Sequence, residues 1–174
     1  MVPAELLGDA FARVRQATVS AVDGLDAGQL AFRPDPGSNS IAWLVWHLTR
    51  IQDDHIAAVA GLEQRWIADG WFERFGLPVD PRATGYGDGP EDVAALDGVP
   101  GELLLGYFEA VHRQTVGFVE GVGAEELDEV VDRSWDPPVT LGVRLVSVVA
   151  DSLEHAGQAA YLRGLVERGA RRAP

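Results

Sequence analysis

An aspartate and a histidine four residues apart, Asp151 and His155 in the run TLGVRLVSVVADSLEHAGQAAYLR from Thr140 to Arg163, are the pair best placed in this sequence to do chemistry. On a helix, positions i and i+4 stand on successive turns with about 6 Å between Cβ atoms, so carboxylate and imidazole converge on one ion or one substrate atom. At about 100° per residue, Val148, Asp151, His155 and Leu162 fall along one line, and Leu145, Val149, Ala156 and Ala160 fill the adjoining arc. The pair therefore sits at the edge of a buried face, where a donor from a neighbouring helix would complete a site. His47, in IAWLVWHLTRIQDDHI, is that donor. Two imidazoles and one carboxylate suit Zn2+, Fe2+, Ni2+ or Mn2+ and leave positions open for water or substrate. Spacing alone also allows a plainer arrangement, in which Asp151 and His155 form a solvent-facing ion pair and His47 satisfies a backbone carbonyl.

Other residues compete for roles around this site. His55 lies nearer the centre of the apolar stripe that carries His47 and is the alternative third ligand. Asp54, on the flank of His47, is the candidate catalytic base or a group that orients a ligand imidazole; the alternative makes Asp53 and Asp54 a solvated acidic edge. Arg144, two turns before Asp151, either holds a carboxylate of a bound cofactor or pairs with Asp151, and the ion pair is favoured. Trp43, Trp46, Trp66, Trp71 and Trp135 either wall a pocket or fill the core. Gln158 either hydrogen-bonds near the site or, by default, lies on the helix surface, and His112 lies at a surface or margin.

Four long helices must position these groups. The first runs from Pro3 to about Val22, with Leu6, Leu7, Phe11, Val14, Thr18 and Val22 at three- and four-residue steps. A loop dense in Asp, Gly, Pro and Ser follows, and Ser38, Asn39 or Ser40 caps a second helix from about Ile41 to Ala60. Residues 61–100 form a long crossover whose Trp66, Trp71, Phe72 and Phe75 are too apolar for a disordered linker and should pack over the bundle, with a short helix at Pro90 to Leu96. The third helix spans about Pro100 to Glu120. After Pro137 and Pro138, Thr140 caps the fourth. No period-two alternation is sustained over a strand's length. The expected fold is all-α, a four-helix bundle with one long crossover, in a single domain over residues 1–174.

Composition narrows the functions. The 174 residues include no cysteine, which excludes disulfides, thiolate zinc clusters and a cysteine nucleophile, so any sulfur chemistry uses a thiol from a small molecule. All 14 basic residues are arginine, which excludes a Schiff-base lysine. A net charge of −13 opposes phosphate backbones and anionic membranes, and the basic residues gather only in the short tail of Arg168, Arg171 and Arg172. No signal peptide or membrane-spanning run is present in the sequence, and a cytoplasmic location is expected.

The runs PGSNSIAWLVWHLTRIQDDHI, LEQRW followed by GWFERFGLP, and WDPPVTLGVRLVSVVADSLEHAGQAAYLRGL resemble the DinB-like superfamily over nearly the whole chain. That superfamily includes the YfiT-like proteins and the bundle domain of mycothiol-dependent maleylpyruvate isomerase. The resemblance implies a bundle with a long crossover, a homodimer, and a divalent metal held by histidines of the second and last long helices. His47 and His155 match two of these ligands. Asp151 stands where many members have histidine, and an aspartate there favours harder ions. The implied activity is transfer of a low-molecular-weight thiol, such as mycothiol or bacillithiol, to an electrophile; Arg144, where it does not pair with Asp151, would hold a carboxylate of that thiol. The alternatives are a metal-dependent hydrolase and a non-catalytic dimeric small-ligand or stress-response protein. Nucleic acid is not an expected partner.

Overall fold

A computed structural model describes residues 2–170; Arg171 and Arg172 of the basic tail lie outside them. Four long helices carry the fold: α1 (Pro3–Val22), α3 (Ile41–Ala60), α7 (Gly101–Val119) and α8 (Leu141–Ala170). Between them lie the short helices α2 (Ala27–Leu30), α4 (Arg65–Ala68), α5 (Trp71–Phe75) and α6 (Pro90–Ala94). Ser40 starts α3 by accepting a hydrogen bond from Trp43 N at 3.1 Å. Gly61, with φ of 65°, ends it in the left-handed conformation that glycine adopts without a Cβ clash. Both α1 and α3 pack against α7 and α8, so α1 and α3 occupy opposite corners of the bundle. Helix α3 is buried on almost all sides, as an apolar helix with the crossover lying over it must be.

The crossover is held by a polar anchor inside an aromatic cluster. Asp53 and Arg50 are wholly buried, 3.6 Å apart. The Asp53 carboxylate accepts from Arg65 N at 2.9 Å, Trp66 N at 2.8 Å and Tyr107 Oη at 2.8 Å. It therefore caps the start of α4 from another helix. Arg50 donates to Gln64 Oε1, Tyr107 Oη and the Ala83 carbonyl. Around this pair Trp66 packs on Tyr107 and Phe75, with ring centroids 5.0 and 5.1 Å away. The expected aromatic packing of residues 66–75 holds, with Trp46, Trp66 and Trp71 in the core. The solvated acidic edge does not: desolvation raises the pKa of Asp53, opposed by its backbone donors, Tyr107 and Arg50. Asp53 is buried because four groups from three segments meet its charge.

A further difference concerns the last connection. Val130–Asp132 (β1) and Val139–Thr140 (β2) pair antiparallel, a hairpin too short for alternation to reveal. Helix α8 runs on to Ala170. Replacing Asp53 by alanine leaves Arg50 buried without its counter-charge and should cost about 3–5 kcal/mol of stability. Tyr107→Phe should cost about 1–3 kcal/mol. Urea denaturation midpoints read both.

Candidate metal centre

Helix α3 supplies His47 and helix α8 supplies Asp151 and His155, and one donor atom from each lies within 4.8 Å of the others. His155 Nε2 is 3.6 Å from Asp151 Oδ1, and the two imidazole centroids are 4.8 Å apart. Trp43 stacks on His47 at 4.7 Å and meets His155 edge-on. One turn separates Asp151 from His155, as the i, i+4 spacing requires, and antiparallel packing of α3 on α8 brings His47 to them.

Hydrogen bonds select which nitrogens are free. The Thr84 carbonyl lies 2.5 Å from His47 Nδ1 and can only accept, so Nδ1 carries the proton and Nε2 keeps its lone pair. The Gln158 amide oxygen, 3.1 Å from His155 Nδ1, does the same for the second imidazole. Burial lowers the pKa of His47, with the Thr84 acceptor acting in the opposite sense. The hydrogen bond to Asp151 raises that of His155. Asp151 Oδ2 is buried with no hydrogen-bond partner, a group that costs free energy unless a donor or cation meets it. Two imidazole Nε2 atoms and the Asp151 carboxylate, with its orphaned Oδ2, make a donor set that fits a divalent cation. Both plain alternatives are also visible: His47 does satisfy a carbonyl, and Asp151 does face His155.

The crossover fixes His47 from outside the bundle. Gly85 has φ of 92°, and a Cβ there would lie 2.6 Å from His47 Nδ1 and 3.1 Å from the rings of Trp43 and Trp46. Trp43 Nε1 donates to Asp88 at 2.9 Å, and Arg50 Nε holds the Ala83 carbonyl at 3.0 Å. Residues 83–88 thus press on the ring whose tautomer they set. Thr84, Gly85 and Asp88 were not among the expected site residues; the glycine-rich ATGYGDG is their only mark in the sequence.

The remaining candidates fall elsewhere. His55 is outside the donor group; Arg144 Nη1 lies 3.2 Å from its Nδ1. Arg144 pairs with Asp132 at 2.8 Å, so the favoured ion pair with Asp151 is replaced by one with the hairpin. Asp54 accepts from Gln64 Nε2 at 2.7 Å and belongs to the crossover anchor. Trp135 is 67 % exposed and walls nothing buried. His112 is half-buried at a margin, stacked on Phe108.

Comparisons with known proteins bear on the family and the fold. A family model described as mycothiol S-transferase matches residues 6–168. A crystal structure described as a conserved protein from Enterococcus faecalis superposes with a TM-score of 0.88 at 30% identity, covering 95% of this chain and 98% of that one. No functionally curated protein matches. The all-α bundle and its crossover are those of the DinB-like superfamily, and within it the chain belongs to the mycothiol S-transferase family.

Proposed function

We propose that this protein is a divalent-metal-dependent transferase that joins a low-molecular-weight thiol of the mycothiol kind to an electrophile, acting in the cytoplasm as one DinB-like domain. His47, Asp151 and His155 would hold the metal. The observation that carries the reading is the arrangement of the donors: both imidazoles have Nδ1 engaged, and Asp151 keeps a buried oxygen unpartnered beside them. A divalent cation held there stabilises the anionic form of a bound thiol, which is the nucleophile such a transfer needs. The chain has no cysteine of its own, in keeping with a thiol brought by a small molecule.

The protein's own residues would do the positioning. His47 and His155 are oriented by Thr84 and Gln158, and Trp43 shields the imidazoles from water. Asp54 is tied to Gln64 and is assigned no proton transfer. Val143, Val146, Leu153 and Tyr161 are exposed apolar residues that fall on one outer face of α8, which supports a homodimer. Among the described residues no helix is long and apolar enough to cross a membrane.

Protein purified without chelator should carry near-stoichiometric metal by elemental analysis, and His47→Ala and His155→Ala should each lose it. A wild type that binds no Zn2+, Ni2+, Fe2+ or Mn2+ on titration would overturn the reading. Because Gly85 and Gln158 orient ligands without donating to the ion, Gly85→Ala and Gln158→Ala should weaken metal binding about 10–100-fold in a chelator competition. With metal loaded, mass spectrometry should find the thiol–electrophile conjugate only when the thiol is added. A hydrolysed product in its absence would mark a hydrolase instead.

A further inference from the structure

The α3–α8 seam that carries the metal donors bears a second polar cluster at its other end. There a cleft of about 330 Å3 is lined by His55, Ala58, Val59, Val131, Asp132 and Arg144. Arg144 lies seven positions before Asp151, and His55 eight after His47, so at about 1.5 Å per residue the cleft is about 10–12 Å from the donor group along the helices.

Its charge selects the ligand. The lining holds one fixed positive and one fixed negative group, Arg144 and Asp132, 2.8 Å apart. His55 meets the other guanidinium nitrogen, and burial and Arg144 lower its pKa against the pull of Asp54, Asp151 and Asp132. An anion would meet Asp132 and a cation would meet Arg144, so neither is favoured. Arg144 has five N–H donors and spends them on Asp132 and His55 only in part. Asp132 Oδ1 accepts twice from Ser134, through its backbone N and its Oγ, whereas Oδ2 accepts from Arg144 and keeps a further lone pair. Arg144 Nη1 faces both His55 nitrogens, Nδ1 at 3.2 Å and Nε2 at 3.5 Å, so whichever is unprotonated can accept from it. Spare donors and acceptors side by side, over the aliphatic surface of Val59 and Val131, match vicinal hydroxyls on a ring.

We propose that this cleft binds the neutral polyhydroxylated end of the thiol substrate while its sulfur lies at the metal donors. This rests on the thiol-transfer reading and deepens it: mycothiol carries its cysteine on a glucosaminyl-inositol, whose two rings would span the interval. Arg144 is thereby assigned to hydroxyls rather than to the carboxylate expected from the sequence.

Glucosaminyl-inositol, which lacks the sulfur, separates the two ideas, because its binding needs no metal. Titrated calorimetrically into wild-type and metal-free His155→Ala protein, it should bind both with similar affinity. Ala58→Trp, which fills the cleft from an exposed helix position and leaves the Arg144–Asp132 bridge intact, should weaken that binding at least tenfold, and Arg144→Met likewise. In the metal-loaded enzyme Ala58→Trp should raise KM for mycothiol at least tenfold and KM for N-acetylcysteine less than twofold. No binding of the fragment by wild type, or equal binding by Ala58→Trp, overturns the subsite whether or not thiol transfer is found. Absence of metal or of conjugate, with the fragment still bound at the cleft, overturns the transferase reading alone.

Discussion

Two opposite charges buried in the middle of α3 set the terms for the rest of the molecule. Arg50 and Asp53 are fully shielded from solvent, and a buried ion pair is tolerable only when its remaining hydrogen-bonding capacity is met. One helix cannot supply that, because its backbone groups are already spent on itself. The partners come instead from the crossover, through the amides of Arg65 and Trp66, the Gln64 amide and the Ala83 carbonyl, and from Tyr107 on α7. The crossover must therefore lie over α3 in one register. Thr84, the residue after Ala83, is then delivered to His47.

The same constraint explains why a loop contributes so much to a site made of helical ligands. Helix packing alone brings three side chains together, yet an imidazole can rotate and offer either nitrogen. The Thr84 carbonyl and the absence of a Cβ at Gly85 remove that freedom on α3. On α8, Gln158 does so from one turn away on the same helix. Ligands pre-oriented in this way lose less conformational entropy when they bind.

How much of this was legible follows from where each partner lies in the chain. Asp151 and His155 share one helix, so their convergence is written in a spacing of four; His47 shares an apolar stripe on which phase alone left His55 in competition, and the resemblance singled it out. Thr84 is 37 residues from His47 and acts through its main chain, which every residue type possesses. No pattern of side chains could reveal it. Asp53 was misread for a related reason. An acidic residue beside a second acidic residue usually faces water, and the groups that bury this one are scattered among residues 50, 65, 66 and 107. Arg144 shows the opposite failure: its phase on α8 was right, but a hairpin of three- and two-residue strands, invisible to periodicity, brought Asp132 closer than Asp151.

The departure from an all-histidine ligand set has a consequence in charge. Two neutral imidazoles and one carboxylate would bring a single negative charge to a divalent cation, leaving a net charge of one. A bound thiolate would cancel it. With three histidines the same complex would retain a positive charge beside Trp43 and the buried face of α3, where net charge is costly. Asp151 would thus let the complex with a thiolate be neutral, while drawing that anion less strongly than a third neutral histidine would. The other end of the α3–α8 seam follows the same logic, since Arg144 and Asp132 cancel within their own pair. A ligand lying along the seam meets balanced charge at both ends, which suits a substrate whose ionisation is confined to its sulfur.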